Sequence, residues 1–112
     1  CYSTETVILE RAPKLVKLGF GLELPQGYEA VIRPRSGLSK KGVTSAIGTI
    51  DANFRGEISA CMSVKTGTYQ IFKGDRICQL AIRKTEEVEF EEVAELTESE
   101  RGENGFGSTG LK

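Results

Sequence analysis

At 112 residues the chain suits one domain, with a core able to hide roughly 60–70% of the unfolded surface. Only 38% of residues are hydrophobic and 13 are glycine, a modest core of the kind a protomer completes by associating with its own copies. A net charge of −1 argues against a nucleic-acid-binding domain, and the absence of histidine excludes Ser-His-Asp and Cys-His nucleophile systems and imidazole-bound zinc.

The predicted elements are strands. Val16, Leu18, Phe20, Leu22 and Leu24 alternate with Lys17, Gly19, Gly21 and Glu23, and Pro25-Gln26-Gly27 then turns the chain. Tyr28, Ala30 and Ile32 resume the pattern up to Pro34. Ile58, Ala60, Met62 and Val64 form the next apolar face, followed by a predicted hairpin turn at Thr66-Gly67-Thr68 and a short strand over 69–72. Residues 77–82 are apolar on both faces apart from Gln79, which predicts a central strand. Val88 and Phe90 alternate with glutamates as in an outer strand whose charges discourage edge pairing. Residues 94–101 can make one helical turn, with Thr97 and Glu100 as a capping box. Short strands separated by Gly/Pro turns imply a single all-β barrel or sandwich.

The cysteines do not suggest a disulfide framework. Cys61 and Cys78 lie in apolar runs and read as buried free thiols, which fits a reducing compartment. With no transmembrane run and no secretory signal, the expected location is the cytoplasm, with host-cell cytoplasm or a eukaryotic nucleus as alternatives, and no membrane partner.

Four segments offer chemistry, each with a plain alternative. In PRSGLS (34–39), Pro34 sets the entry, Gly37 permits a bend, and Arg35, Ser36 and turn amides can face a phosphate; an ordinary turn with a surface arginine is the plainer alternative. Arg33, Lys40 and Lys41 add charge there, while the glutamates of 86–100 read as a solvated acidic face. In GTIDANFRGE (48–57), Asp51 near a hairpin tip can activate a water or merely cap a turn, with the Phe54 ring three residues on. In GDRICQL (74–80), Gln79 needs a partner, from a neighbouring strand or a ligand oxygen, or costs roughly 1–3 kcal/mol. In RGENGFGSTG (101–110), the glycines allow close backbone approach, Arg101, Ser108 and Thr109 are phosphate donors, and Phe106 can stack on a flat ring; a terminal tail without fixed structure is the alternative.

In this order and spacing the four segments resemble motifs two to five of the homotrimeric dUTPase family, over residues 16–110. The resemblance implies a jelly-roll-like β protomer, residues 1–100, in a three-fold trimer with shared active sites, and a flexible arm, residues 101–112, closing a neighbouring site. It implies hydrolysis of dUTP to dUMP and pyrophosphate, limiting uracil incorporation into DNA and supplying dUMP for thymidylate synthesis. Mg2+ would be held mainly through the substrate phosphates, with no direct protein ligand. Carried over by position, Asp51 would be the general base. Arg35, Ser36 and the Gly37 amide would hold the phosphate chain with help from Gln79. Gly48, Thr49 and Ile50 would line the uracil and sugar pocket, and Phe54 would pack under the deoxyribose. Phe106 and Gly107 would close over the uracil, with Arg101, Ser108 and Thr109 on the terminal phosphate.

The chain departs from the family pattern in three places. The family's first motif has no counterpart, so the chain is expected to begin inside the usual domain. Phe54 stands where tyrosine is usual, and Asn53 where Asp or Gly is frequent. Two rival readings remain. The related dCTP deaminases carry a catalytic glutamate at the position of Cys61, which this chain lacks, and a non-catalytic trimer binding nucleotide or a regulatory partner is the other.

Overall fold

The computed structural model describes residues 1–103. Eight strands and one helical turn follow in order: β1 (Val7–Leu9), β2 (Lys14–Lys17), β3 (Tyr28–Pro34), α1 (Ser36–Ser39), β4 (Val43–Ser45), β5 (Gly48–Asp51), β6 (Ser59–Val64), β7 (Tyr69–Ile71) and β8 (Cys78–Lys84). They form three antiparallel sheets, ordered β1-β7, β2-β6-β4 and β5-β3-β8. The architecture is the expected all-β, jelly-roll-like one.

One apolar cluster joins the three sheets. Val16 from β2, Ala60, Met62 and Val64 from β6, Val43 from β4, Ile32 from β3, Cys78 from β8, Leu9 from β1 and Ile71 from β7 all meet in it. The alternation of β6 is realised fully: Ala60, Met62 and Val64 are buried while Ser59, Cys61 and Ser63 are only half-buried. Truncating a side chain as enclosed as Met62 removes both its transfer from water and the packing around it, a loss of about 2–5 kcal/mol.

The long strand predicted from Val16 to Leu24 stops at Lys17. Gly19 takes φ +80°, a backbone that an L side chain resists, and its N–H leaves the ladder to donate to Glu57 Oε2 at 3.2 Å. The in–out pattern nevertheless survives the break. Leu18 and Phe20 keep backbone hydrogen bonds to Ile58 at 3.1 and 2.8 Å, so the apolar side chains stay turned inward.

Two expected hairpins are instead crossings between sheets. Gly67 turns the chain at φ +67°, as predicted, but β6 pairs with β2 and β4 while β7 pairs with β1. Likewise β5 pairs with β3, not β6, so residues 52–58 carry the chain from one sheet to another. Alternation reports which side faces the core, not which neighbour completes the ladder.

The strand predicted to be central is an edge. Among the described residues β8 pairs only with β3, its Ile82 is 49% exposed, and Gln79 lies in solvent and needs no buried partner. The central strand is β3. Past β8, residues 85–98 form neither the predicted outer strand nor the helical turn; they run without regular structure, and Phe90 is 96% exposed.

Candidate functional site

Asp51 owes its position to three local features. β5 is an edge strand, and Asp51 is its last residue, directly opposite Glu29 of β3. The Asp51 carbonyl accepts the Phe54 N–H at 3.1 Å, closing a turn, and the Arg55 Nη1 donates to the Ala52 carbonyl at 2.6 Å across it. The Asp51 side chain is exposed and, among the described residues, enters no ion pair. Its carboxylate is therefore free to take a proton from a ligand or a water.

Beside it lies a cavity of about 390 Å³, lined by Gly48, Thr49, Ile50 and Asp51 with Leu15, Ile32, Phe54, Glu57, Ile58 and Ser59. That volume falls at the lower end of small-molecule sites, and most of the lining is apolar. Because no strand among the described residues pairs with the outer side of β5, the N–H and C=O groups directed away from β3 are available to a ligand placed alongside. Gly48 adds no side chain there, and a Cβ built on it meets nothing within 4 Å.

The Phe54 ring sits against the backbone of Gly56. A Cβ at position 56 would stand 2.6 Å from Phe54 Cζ and 3.1 Å from Cε1, closer than packed carbons approach. Glycine at that position leaves room for the ring, which is 46% exposed and lines the cavity.

The other predicted residues gather elsewhere. Arg35 is the N-cap of α1, and its Nη1 donates to the Arg76 carbonyl at 3.0 Å. With Leu38, Tyr69, Asp75 and Arg76 it lines a second cavity of about 230 Å³. Ser36 and Gly37 are exposed in α1, held by the Leu38 side chain packed on the core. Gly37 has helical backbone, so the bend predicted for it is a helical turn that does not require glycine. Gln79 stands opposite Arg33 in the β3–β8 ladder, at this same end of β3.

Asp51 and Ser36 are thus separated by the length of β3. Asp51 pairs at Glu29, whereas Ser36 follows Pro34, about 17 Å further on at about 3.3 Å per strand residue. Within the one chain the structure brings Gly48, Thr49, Ile50, Asp51 and Phe54 together, and leaves Arg35, Ser36, Gly37 and Gln79 at the other end of β3. Arg101 is described and exposed. Phe106, Gly107, Ser108 and Thr109 lie outside the described residues.

Sequence reasoning missed Leu15, Ile32, Glu57, Ile58 and Ser59 as cavity lining. Ile32 and Ile58 carried only the alternation that marks core, which gives no sign that one end of the core is open. Glu57 follows Gly56 directly and could have been flagged by it.

Among the described residues no group of three or more His, Cys, Asp or Glu side chains could hold a metal ion. Burial pushes the Cys78 thiol above its usual range.

The family model for dUTPase matches residues 1–110. A deoxyuridine 5'-triphosphate nucleotidohydrolase of Finegoldia magna is 47% identical over 106 residues, which is 91% of this chain and 73% of that protein. Its counterpart in Anaplasma marginale is 52% identical over 99 residues, 85% of this chain and 67% of the relative. Among solved structures, the dUTPase of Staphylococcus bacteriophage 80alpha with dUpNHpp superposes with a TM-score of 0.88 at 31% identity, covering 98% of this chain and 83% of that one. A variant dUTPase of phage phi11, described for its coordination of a structural Mg(II) ion, has a TM-score of 0.79 at 25% identity over 87% and 82% of the two chains.

Proposed function

The chain belongs to the dUTPase family, and on that premise we propose that it hydrolyses dUTP to dUMP and pyrophosphate. The observation that carries this reading is the seating of Asp51 at the rim of an apolar cavity walled by its own strand.

In the proposed reaction a water accepts direction from the Asp51 carboxylate and attacks the α-phosphorus. As its oxygen bonds to phosphorus, its proton passes to Asp51, and the bond from the α-phosphorus to the bridging oxygen breaks to release pyrophosphate. Uracil fits along β5 as a further strand would, its polar edge meeting the outward backbone groups that alternate residues of the Gly48, Thr49 and Ile50 stretch present. The Phe54 ring lies under the deoxyribose and leaves little room for a 2′-hydroxyl. Arg35, Ser36 and the Gly37 amide hold the phosphate chain, and Gln79 assists.

A base on a water attacking a phosphate, and donors on that same phosphate chain, must lie closer than the length of β3. The separation of Asp51 from Ser36 therefore supports a site shared between copies, in the homotrimer that the family resemblance implies. Leu15 and Ile47, 70% and 72% exposed, are apolar surface of the kind that association covers. Arg101, Phe106, Gly107, Ser108 and Thr109 are assigned to closing the site over uracil and terminal phosphate.

Magnesium is read as travelling on the triphosphate. Mg2+ retains several waters and is commonly held through substrate phosphates rather than by a protein cage. It neutralises phosphate charge there, and no residue of this chain is assigned to it. The proposal places the activity in the cytoplasm, where it limits uracil in DNA and supplies dUMP.

Turnover of dUTP, dCTP, dTTP and UTP, with and without magnesium, tests the reading. Pyrophosphate release confined to dUTP is expected. Deamination of dCTP, or tight dUTP binding without turnover, would overturn it.

A further inference from the structure

Three charged residues form a row across the β5-β3-β8 sheet. Glu29 of β3 is in register with Asp51 on one side and with Arg83 of β8 on the other. Directly opposed residues point to the same face of a sheet, with Cβ atoms about 4.5–5.5 Å apart. Two carboxylates are therefore neighbours, and a guanidinium stands next in line. Glu29 and Asp51 also line one cleft of about 470 Å³, together with Ala52, Asn53 and, past β8, Thr85 and Glu87.

The pairing within this row is selective. Arg83 Nε donates to Glu29 Oε2 at 2.8 Å, and the Glu29 side chain is only 18% exposed, whereas Asp51 takes no part. Alone, Glu29 would oppose ionisation of the carboxylate beside it. Alone, Arg83 would be drawn to Asp51 and occupy it. Each member of the pair cancels what the other would do.

We propose that Glu29 and Arg83 are positioning residues that act through Asp51, keeping its carboxylate ionised and unpaired so that it can serve as base. The proposal rests on the reading of Asp51 as general base. The other charged or titratable groups around Asp51 are Glu87 and Tyr28 in the same cleft, Glu57 in the cavity on its other side, and Arg55, whose guanidinium is tied to the Ala52 carbonyl. Glu87 and Glu57 add negative charge, which increases the need for Arg83.

The test is the pH profile of kcat for dUTP at low ionic strength in the wild type, Arg83→Gln, Glu29→Gln and the double variant. Removing Arg83 leaves Glu29 uncompensated, so the acid limb is expected to move up by about half a pH unit. Removing Glu29 frees Arg83, so the limb is expected to move down by a similar amount. The double variant is expected to return close to the wild type, and added salt to shrink both shifts. The Asp51 carboxyl carbon resonance, titrated in the same folded variants, gives the same comparison without turnover.

Shifts of one sign in both single variants, or none, overturn the proposal while leaving Asp51 as base. If Asp51→Asn turns over dUTP at the wild-type rate, the base reading falls first and takes the proposal with it. Melting temperatures separate both results from unfolding.

Discussion

Asp51 and Ser36 stand at opposite ends of β3, the first opposite Glu29 and the second just past Pro34. The strand between them is a stiff spacer buried at Ala30, Val31 and Ile32, so no local movement brings the two together. Two inactive variants should then rescue one another. Asp51→Asn and Ser36→Ala subunits, unfolded and refolded together, are expected to regain activity that neither shows alone. In an equal mixture up to about a quarter of shared sites recover both residues. No recovery in mixed oligomers would place both residues of a site in one subunit.

Gly56 matters through Phe54. Gly56→Ala puts a methyl where the ring now lies, and the exposed ring is the part free to give way. The expected result is a KM for dUTP raised several-fold, with the melting temperature little changed and kcat affected less. A large stability loss with unaltered KM would show that the glycine serves the backbone only.

Cys78 predicts an alkaline weakness. Its thiol is raised in the folded state by burial, so folding favours the protonated form. That contribution is complete below the ordinary thiol range of about 8.5 and is lost as pH rises through the higher folded value. Urea melts between neutral and alkaline pH should show a steeper fall for the wild type than for Cys78→Ala. Parallel curves would remove the thiol from the account.

Residues 101–112 carry the last of the four motifs. Their removal is expected to leave the β fold and its melting intact while kcat/KM for dUTP falls, because the assigned uracil and terminal phosphate contacts are lost. Unchanged kcat/KM after truncation would withdraw Arg101, Phe106, Gly107, Ser108 and Thr109 from the site.

Much of this was legible in the sequence. The alternation at Ala60, Met62 and Val64 marked buried positions correctly, and Gly67 marked a true turn. Pairing was not legible. Nothing in residues 48–64 says that β5 should leave β6 for β3, because the partner depends on the register that packs half-buried Ile50 against the same core cluster as Ile32. The doubly apolar run of 77–82 suggested a central strand, yet Ile82 is exposed on an edge strand. For the site, type and order of residues identified Asp51, Arg35 and Ser36, but only the ladder shows how far apart they are held.

The most direct measurement of the central claim is paired turnover and binding for Asp51→Asn. The side chain is exposed and outside any ion pair among the described residues, so asparagine should fold and bind as the wild type does. A kcat for dUTP lowered by about 10²–10⁴-fold, with dUTP affinity unchanged, is the predicted result. Turnover at the wild-type rate would contradict the account, since the reaction would then draw its base from elsewhere.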